Sequence, residues 1–267
     1  MSQPIQTDAY WDEAADGYVA TAEPFTGLFC RDAVDLAGIE PGMSLLDVAT
    51  GPGALALAAE DAGAKVTAID FSTGMIERLK ARAADRNIEA LRMDGQALDL
   101  PDRSFDRVCS VFGIPLFSDW RAGLAEMARV VKPDGLVVMG VADNPYGFGP
   151  NQLFAKARQN LWPDKPLDFG VPGMTALCAP DRIAAELSEV GLGSVEFHSR
   201  THEFVLPGDV LGSGSPMVLS HPMIVGLSEP DRSRLIDEAT RIADDWRDGD
   251  AIRIRGTALI AVASAGG

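Results

Sequence analysis

The sequence predicts an α/β fold built on a doubly wound, mostly parallel sheet. Short apolar runs of strand length alternate with helix-length segments from residue 43 to residue 142. The first run ends at Val48 and leads directly into a glycine-rich turn and an alanine-rich helix. Strands that alternate with helices form parallel sheets, because each helix carries the chain back to the edge where the next strand begins. At 267 residues, of which 46% are hydrophobic, the chain can bury one core of this kind.

The elements of this first half follow in a regular order. Ser72 or Thr73 is expected to cap the second helix of the sheet region. Residues 132–135, Lys-Pro-Asp-Gly, predict a turn before the fifth strand, since proline restricts φ and glycine permits unusual values. Strands are expected over residues 43–48, 65–70, 88–94, 105–112 and 136–142, with helices over residues 53–63, 73–84 and 119–131.

The two ends of the chain add further elements. Apolar and aromatic residues at helical spacing over 8–37 predict one or two helices, which either pack on the core or cover the site. The C-terminal part predicts helices over residues 181–190 and 230–246 and strands over residues 195–206 and 252–263.

A nucleoside-binding pattern joins the first two strands. The first strand continues as Asp47-Val48-Ala49-Thr50-Gly51-Pro52-Gly53, and the second ends in Asp70. Small residues at positions 49, 51 and 53 let the backbone approach a ligand closely. An acid at the tip of the second strand can accept hydrogen bonds from both hydroxyls of a ribose.

This pattern resembles motif I of the class I S-adenosylmethionine (SAM)-dependent methyltransferases. Asp47, four residues before Gly51, is the discriminating feature, and Ala49 in place of the first glycine resembles the ubiquinone/menaquinone-biosynthesis branch, methyltransferase type 11/25. Residues 93–101 with residues 104–108 resemble the same family's third-strand signature, Asp-x-x-x-Leu-Pro-Phe-x-Asp-x-Ser-Phe-Asp. The resemblance covers residues 10–142. It implies a seven-stranded Rossmann-like sheet whose last two strands form a reversed hairpin.

The resemblance also implies SAM as the cofactor and a set of residues that bind it. The loop amides would hold the methionine carboxylate, Asp47 would organise the loop or meet the ammonium, and Asp70 would bind the ribose. Asp94 would accept from the adenine amino group. Phe71 and Met75 would sandwich the adenine or pack in the core. The expected cofactor-binding residues are Asp47, Ala49, Thr50, Gly51, Gly53, Asp70, Phe71, Met75, Asp94, Gly95, Gln96, Ala97 and Val111.

The acceptor region is predicted to be apolar. Residues 110–117 hold no acid, base or metal ligand, and they lack the Asn-Pro-Pro-Tyr sequence of amino-directed enzymes. Residues 143–173 are rich in aromatics, which indicates either an insertion over the site or a loop that seals its own base. We expect a single domain over residues 1–267 with a helical cap formed by residues 1–37, 143–178 and 207–249. The expected substrate-binding residues are Phe112, Ile114, Phe117, Phe148 and Trp162.

Few side chains qualify as catalytic. A base is needed only if the acceptor arrives protonated, and His221 in the cap is the candidate, with Tyr18 expected near the methionine moiety. His198 and His202 share a strand face that is predicted to be solvated. No His/Cys cluster has metal-ligand spacing, so no metal is expected.

Charge and cysteine content limit the partners. The net charge is −16, from 23 basic and 39 acidic residues, which disfavours nucleic acid and an anionic membrane surface. The three cysteines are unpaired by spacing, and no signal peptide or 20-residue apolar run is present, so we expect a cytoplasmic protein without membrane insertion. A small-molecule acceptor is the expected partner, and a homodimer is left open.

The expected function is methyl transfer from SAM to a small, mostly apolar organic metabolite. An NAD-dependent oxidoreductase is one alternative, since residues 51–56 fit Gly-x-Gly-x-x-Ala. That alternative leaves Asp47 and Asp94 unexplained, and the sequence has no Tyr-x-x-x-Lys pair. Another alternative is a SAM-binding protein of this fold that catalyses a different reaction. A protein or RNA methyltransferase is disfavoured by the acidity.

Overall fold

One sheet organises the chain in the computed structural model, which describes residues 3–168, 170–212, 215, 218, 223–224 and 226–266. The strands are β1 (Ser44–Val48), β2 (Lys65–Asp70), β3 (Ile88–Arg92), β4 (Phe105–Val111), β5 (Val131–Ala142), β6 (Leu192–Pro207), β7 (Arg247–Asp248) and β8 (Ala251–Ala265). Their order is β3-β2-β1-β4-β5-β8-β6, and β7 pairs with β8. The first five strands are parallel and the β7–β8 pair is antiparallel. The predicted fold class is confirmed, but the sheet of the described residues has eight strands and not the expected seven, because the short β7 pairs with β8.

The helices are α1 (Asp8–Thr21), α2 (Glu23–Ala37), α3 (Ala54–Asp61), α4 (Thr73–Arg82), α5 (Trp120–Val130), α6 (Asn151–Leu161), α7 (Pro172–Ala176), α8 (Pro180–Glu189) and α9 (Glu229–Asp244). The N-terminal segment forms two helices, and α2 begins with a proline in its first turn, where the missing N–H is tolerated. Ser72 caps α4 as predicted, because its hydroxyl accepts from the backbone N–H of Met75.

The chain divides into two units. The first comprises Met1–Val141, Val171–Arg200 and Ala258–Gly267, and the second comprises Ala142–Gly170 and Thr201–Thr257. Of the predicted cap, residues 3–37 and 171–178 therefore fall in the first unit, while residues 143–168, 170 and the described part of 207–249 fall in the second. The single domain with a cap stays a prediction.

The core of the first unit lies on both faces of the sheet. Leu46 and Val108 belong to one buried cluster, whereas their neighbours Leu45 and Cys109 belong to another. Successive side chains of a strand point to opposite faces, so this alternation means that helices cover both sides. Such burial leaves the carboxyl ends of the strands as the place where polar residues can meet a ligand.

The second unit contains the packed pair α6 and α9. Asn160 donates from its side-chain amide to Glu238 Oε1 at 2.6 Å, which fixes the register of the two helices. Trp162 follows α6, and the cationic groups of Arg158, Lys165 and Arg234 lie 5.5–5.8 Å from its ring centroid.

The prediction of a turn over residues 132–135 before the fifth strand is wrong, because these residues lie within β5. Phe105 pairs with Val131 and Arg107 with Leu136, so two residues of β4 match five of β5. The Lys-Pro-Asp-Gly sequence therefore forms an irregularity inside a longer strand, a place where proline and glycine are tolerated.

Candidate active site

The loop after β1 has the backbone conformation that its small residues predict. Ala49, Gly51 and Gly53 have φ values of 58°, 55° and 95°. A Cβ at position 53 would lie 2.3 Å from Leu79 Cδ1, so Leu79 would have to shift, and the φ of 95° itself favours glycine there. The Gly53 N–H donates to the Thr50 carbonyl at 3.0 Å and closes a tight turn. Ala49 adopts the left-handed conformation at a cost of roughly 1 kcal/mol, which the surrounding contacts must offset.

Asp47 lies beneath this loop with 2% of its surface exposed. Its Oδ2 accepts from Thr50 Oγ1 at 2.6 Å, and its carboxylate also accepts from the backbone N–H of Ala56 in α3. Burial raises its pKa to about 7, against the opposing effect of these hydrogen bonds. These contacts give Asp47 the first of its two predicted roles, organising the loop.

Asp70 joins the loop to the second strand. Its Oδ2 accepts from the Gly51 N–H and its Oδ1 from the Ser72 N–H, both at 2.9 Å. Burial raises its pKa, while the backbone hydrogen bonds oppose the shift. The Phe71 N–H is a third backbone donor to the same carboxylate, and a carboxylate can accept about four hydrogen bonds, so capacity for a ligand donor remains. A hydroxyl of a ribose fits that remaining capacity.

Backbone hydrogen bonds bring the ends of the first three strands together. The Thr50 N–H donates to the Ile69 carbonyl at 2.9 Å, and the Met93 N–H donates to the Asp70 carbonyl at 2.9 Å. Strand β3 ends at Arg92, two residues earlier than predicted, so Asp94 extends from a loop beyond the strand.

The segment after β3 is held by a network around Gln96. Asp94 is exposed, and its Oδ1 accepts from the Gln96 backbone N–H at 2.9 Å and from Gln96 Nε2 at 3.0 Å. Gln96 Oε1 accepts from Ser118 Oγ and from the Asp119 N–H at the start of α5. Gly95 is buried where a Cβ would lie 2.7 Å from the Phe117 ring, and Ala97 is exposed. Asp94 thus presents its carboxylate outward on a braced loop.

Phe71 and Met75 have different environments. Phe71 is partly exposed, whereas Met75 is 2% exposed at the start of α4. Phe71 therefore keeps surface for an adenine, while Met75 occupies the core position that was the alternative interpretation.

Helix α1 is attached directly beside Asp70. Asp12 Oδ1 accepts from Ser72 Oγ at 2.6 Å and from the Gly74 N–H at 2.9 Å, and these hydrogen bonds lower its pKa. Sequence interpretation missed Asp12, since an isolated acid on a helix is no signal. The same helix carries Tyr18, whose hydroxyl lies 3.0 Å from Thr26 Oγ1 and whose pKa is raised by burial. Tyr18 therefore keeps its proton at neutral pH, which suits a hydrogen-bond donor and not a base.

The end of β4 combines strain with an unsatisfied hydroxyl. Phe112 has a φ of 63°, and its ring meets Phe29 edge-on at 5.5 Å. Ser110 Oγ is buried and has no hydrogen-bond partner among the described residues. A Cβ at Gly113 would lie 2.9 Å from that oxygen and 2.5 Å from Ala49 Cβ, so glycine lets the β4 end approach the loop. Val111 is partly buried beside them.

The other predicted substrate and catalytic residues are spread over both units. Ile114 is fully buried in the core of the first unit, so packing is its observed role, and Phe117 packs against Gly95 and Gly123. Phe148 and Trp162 lie in the second unit. His221 lies outside the described residues, and the described part of the chain contains no group of three or more potential metal ligands.

Known proteins resemble this chain in the region that holds the loop and the three strand ends. Residues 46–139 match a family model described as a methyltransferase domain. The demethylmenaquinone methyltransferase of Renibacterium salmoninarum is 38% identical over 152 residues, which cover 55% of this chain and 63% of the relative. The resemblance inferred from motif I is thereby confirmed, and with it SAM as the cofactor of this domain.

Solved structures extend the likeness of the methyltransferase domain to the fold of most of the chain. The YcgJ protein from Bacillus subtilis has a TM-score of 0.59 at 18% identity, with 89% of this chain and 98% of that chain covered. The [4+2]-cyclase SpnF has a TM-score of 0.56 at 16% identity, with 90% and 81% covered. The chain spans less than two thirds of the length of the Renibacterium relative.

Proposed function

We propose that this chain transfers the methyl group of SAM to a small, mostly apolar organic acceptor. The observation that carries the proposal is the geometry of Asp70, whose two oxygens are oriented by the Gly51 and Ser72 amides at the end of β2 and keep capacity for a ligand hydroxyl. The joined ends of β1, β2 and β3 supply the rest of a nucleoside site.

The residues divide the work of binding and orientation. SAM, when bound, supplies an electrophilic methyl group for an in-line displacement. Asp70 binds the ribose, Asp94 binds the adenine edge, and Asp47 keeps the loop amides directed at the methionine carboxylate. Phe112 and Val111 exclude water beside them. Alignment of the acceptor with the methyl group and exclusion of water supply much of the acceleration in such a transfer.

The acceptor is proposed from the chemistry of the β4 end. Residues 110–117 bear no ionisable side chain. The Renibacterium relative is named a demethylmenaquinone methyltransferase. An apolar ring acceptor of that kind would match the apolar character of residues 110–117. Tyr18 holds its proton, so the acceptor must enter already ionised or lose its proton to another group, for which His221 remains the candidate.

The setting of the reaction is also a proposal. Cys30, Cys109 and Cys178 are unpaired, as in proteins of a reducing cytoplasm. In the described residues, no helix is both long and apolar enough to span a membrane.

Calorimetry with SAM, S-adenosylhomocysteine (SAH) and NAD tests the cofactor, and an acceptor screen that detects SAH tests the reaction. We expect binding of SAM and SAH, no binding of NAD, and SAH release with an apolar acceptor. Tight NAD binding without SAM binding would refute the proposal.

A second candidate is a SAM-binding protein that catalyses another reaction. The likeness to SpnF, a [4+2]-cyclase, shows that this fold also serves such chemistry. SAM binding together with conversion of an acceptor that releases no SAH would favour this candidate.

A further inference from the structure

We propose that Arg82 is a positioning residue for SAM binding, which holds the loop through the carbonyl of Pro52 and is itself held by Glu23. The inference rests on the proposed function, because it assigns a role in the same cofactor site. Nothing in motif I points to Arg82, which lies 30 residues after Pro52 in the chain.

One guanidinium nitrogen makes both contacts. Arg82 Nη1 donates to the Pro52 carbonyl at 2.8 Å and to Glu23 Oε1 at 2.5 Å. The Glu23 side chain is only 10% exposed, whereas that of Arg82 is 39% exposed. Three elements thus meet at Arg82, namely the start of α2, the loop and the end of α4.

These contacts fix the orientation of the peptide bond after Pro52, which the proline ring does not restrain. Proline fixes φ at position 52 but not ψ, and ψ sets the direction of the Pro52 carbonyl. Arg82 holds that carbonyl from one side, and Asp70 holds the preceding Gly51 N–H. Leu79, one turn before Arg82 on α4, packs at the position where a Cβ of Gly53 would lie. Helix α4 therefore fixes the second half of the loop, whose amides are the groups proposed to meet the methionine carboxylate.

Glu23 directs Arg82 toward the loop. A carboxylate buried at the start of a helix is favoured by the helix dipole and by a partner charge. If Arg82 is removed, Glu23 remains as a buried charge without its partner, and stability falls for a reason unrelated to the loop. A test must therefore separate stability from ligand affinity.

Four variants make that separation. R82M removes both contacts, R82K keeps one donor, E23Q removes the charge of the partner, and the double variant E23Q/R82M removes the unpaired charge as well. R86M is the matched control, because Arg86 pairs with Glu60 and Asp61 of α3 and makes no described contact with the loop. The measurements are the affinity for SAH by calorimetry and the thermal midpoint of the free protein.

We expect R82M to weaken SAH binding about tenfold, as for the loss of a hydrogen bond from a charged donor. R82K should recover part of the affinity and R86M should bind like the wild type. E23Q/R82M should recover stability relative to R82M while its affinity stays about tenfold low. Affinity of R82M within twofold of the wild type, or affinity that recovers together with stability in the double variant, would overturn the inference. A wild-type protein that binds neither SAM nor SAH would overturn the proposed function as well.

Discussion

The ends of β1, β2 and β3 and the end of β4 satisfy their polar groups in different ways. In the first region, Asp47 and Asp70 are buried, and each accepts hydrogen bonds from the loop or its neighbours. In the second region, Ser110 Oγ has no partner among the described residues and Phe112 holds a strained backbone. The first region therefore has its polar groups hydrogen-bonded in the free protein, whereas the second retains a buried polar group without a partner and backbone strain.

Replacement of Asp70 should give the largest effect and would test the organised region directly. We expect D70A to weaken SAM binding by roughly 2–4 kcal/mol, because it removes charge-assisted hydrogen bonds to the ribose. Calorimetry measures the change. Exposed Asp99→Asn serves as the control, and SAM binding by D70A at the wild-type level would place the nucleoside elsewhere.

Asp47 should make stability depend on pH. Its pKa is about 7 in the folded protein and about 4 in an unfolded chain. Between these values the folded state holds a proton that the unfolded state has lost, so the free energy of unfolding falls as pH rises from about 4 to about 7. Asp70, whose pKa burial also raises, acts in the same direction.

Denaturant unfolding across this pH range checks the prediction. D47N should show a flatter profile, with a difference from the wild type on the order of 4 kcal/mol across the window. Identical profiles for D47N and the wild type would show that Asp47 is ionised in the folded protein and less completely buried than its contacts indicate.

Asp94 should contribute less to the cofactor than Asp70. Its carboxylate is exposed and would meet a single neutral donor, so D94A is expected to weaken SAM binding by about 1–2 kcal/mol. D94N keeps an acceptor oxygen and should lose less. A larger loss of SAM affinity in D94A than in D70A would contradict the proposal that Asp70 contributes more to SAM binding than Asp94 does.

Ser110 offers the smallest effect and a test of the second region. S110A should stabilise the free protein by about 1 kcal/mol, because it removes a buried hydroxyl without a partner. S104A is the matched control and should not stabilise, since Ser104 Oγ donates to the Pro101 carbonyl at 2.8 Å. Destabilisation by S110A would mean that an ordered water satisfies the hydroxyl.

The cofactor region was largely predictable because its determinants are close in sequence. Asp47, Ala49, Gly51 and Gly53 lie within seven consecutive residues at the end of β1 and in the loop after it, and Asp70 follows at the end of the next strand. Local conformational preferences and strand order are enough to bring such residues together.

The remaining determinants depend on contacts that no local pattern encodes. Arg82 contacts Pro52 in the loop, 30 residues earlier in the chain. Asp12 contacts Ser72 at the start of α4, 60 residues later in the chain. Ser110 looks like an ordinary strand residue until its burial is known. The apolar run around Ile114 predicts a contact with an apolar acceptor, and the same apolar character places Ile114 in the core.

A crystal structure with SAH tests the central claim most directly. The account predicts that a ribose hydroxyl lies within hydrogen-bond distance of the Asp70 carboxylate, with the Gly51 and Ser72 amides still bound to the same carboxylate. SAH bound away from Asp70, or a carboxylate that has abandoned both amides to reach the ligand, would contradict a site organised in advance.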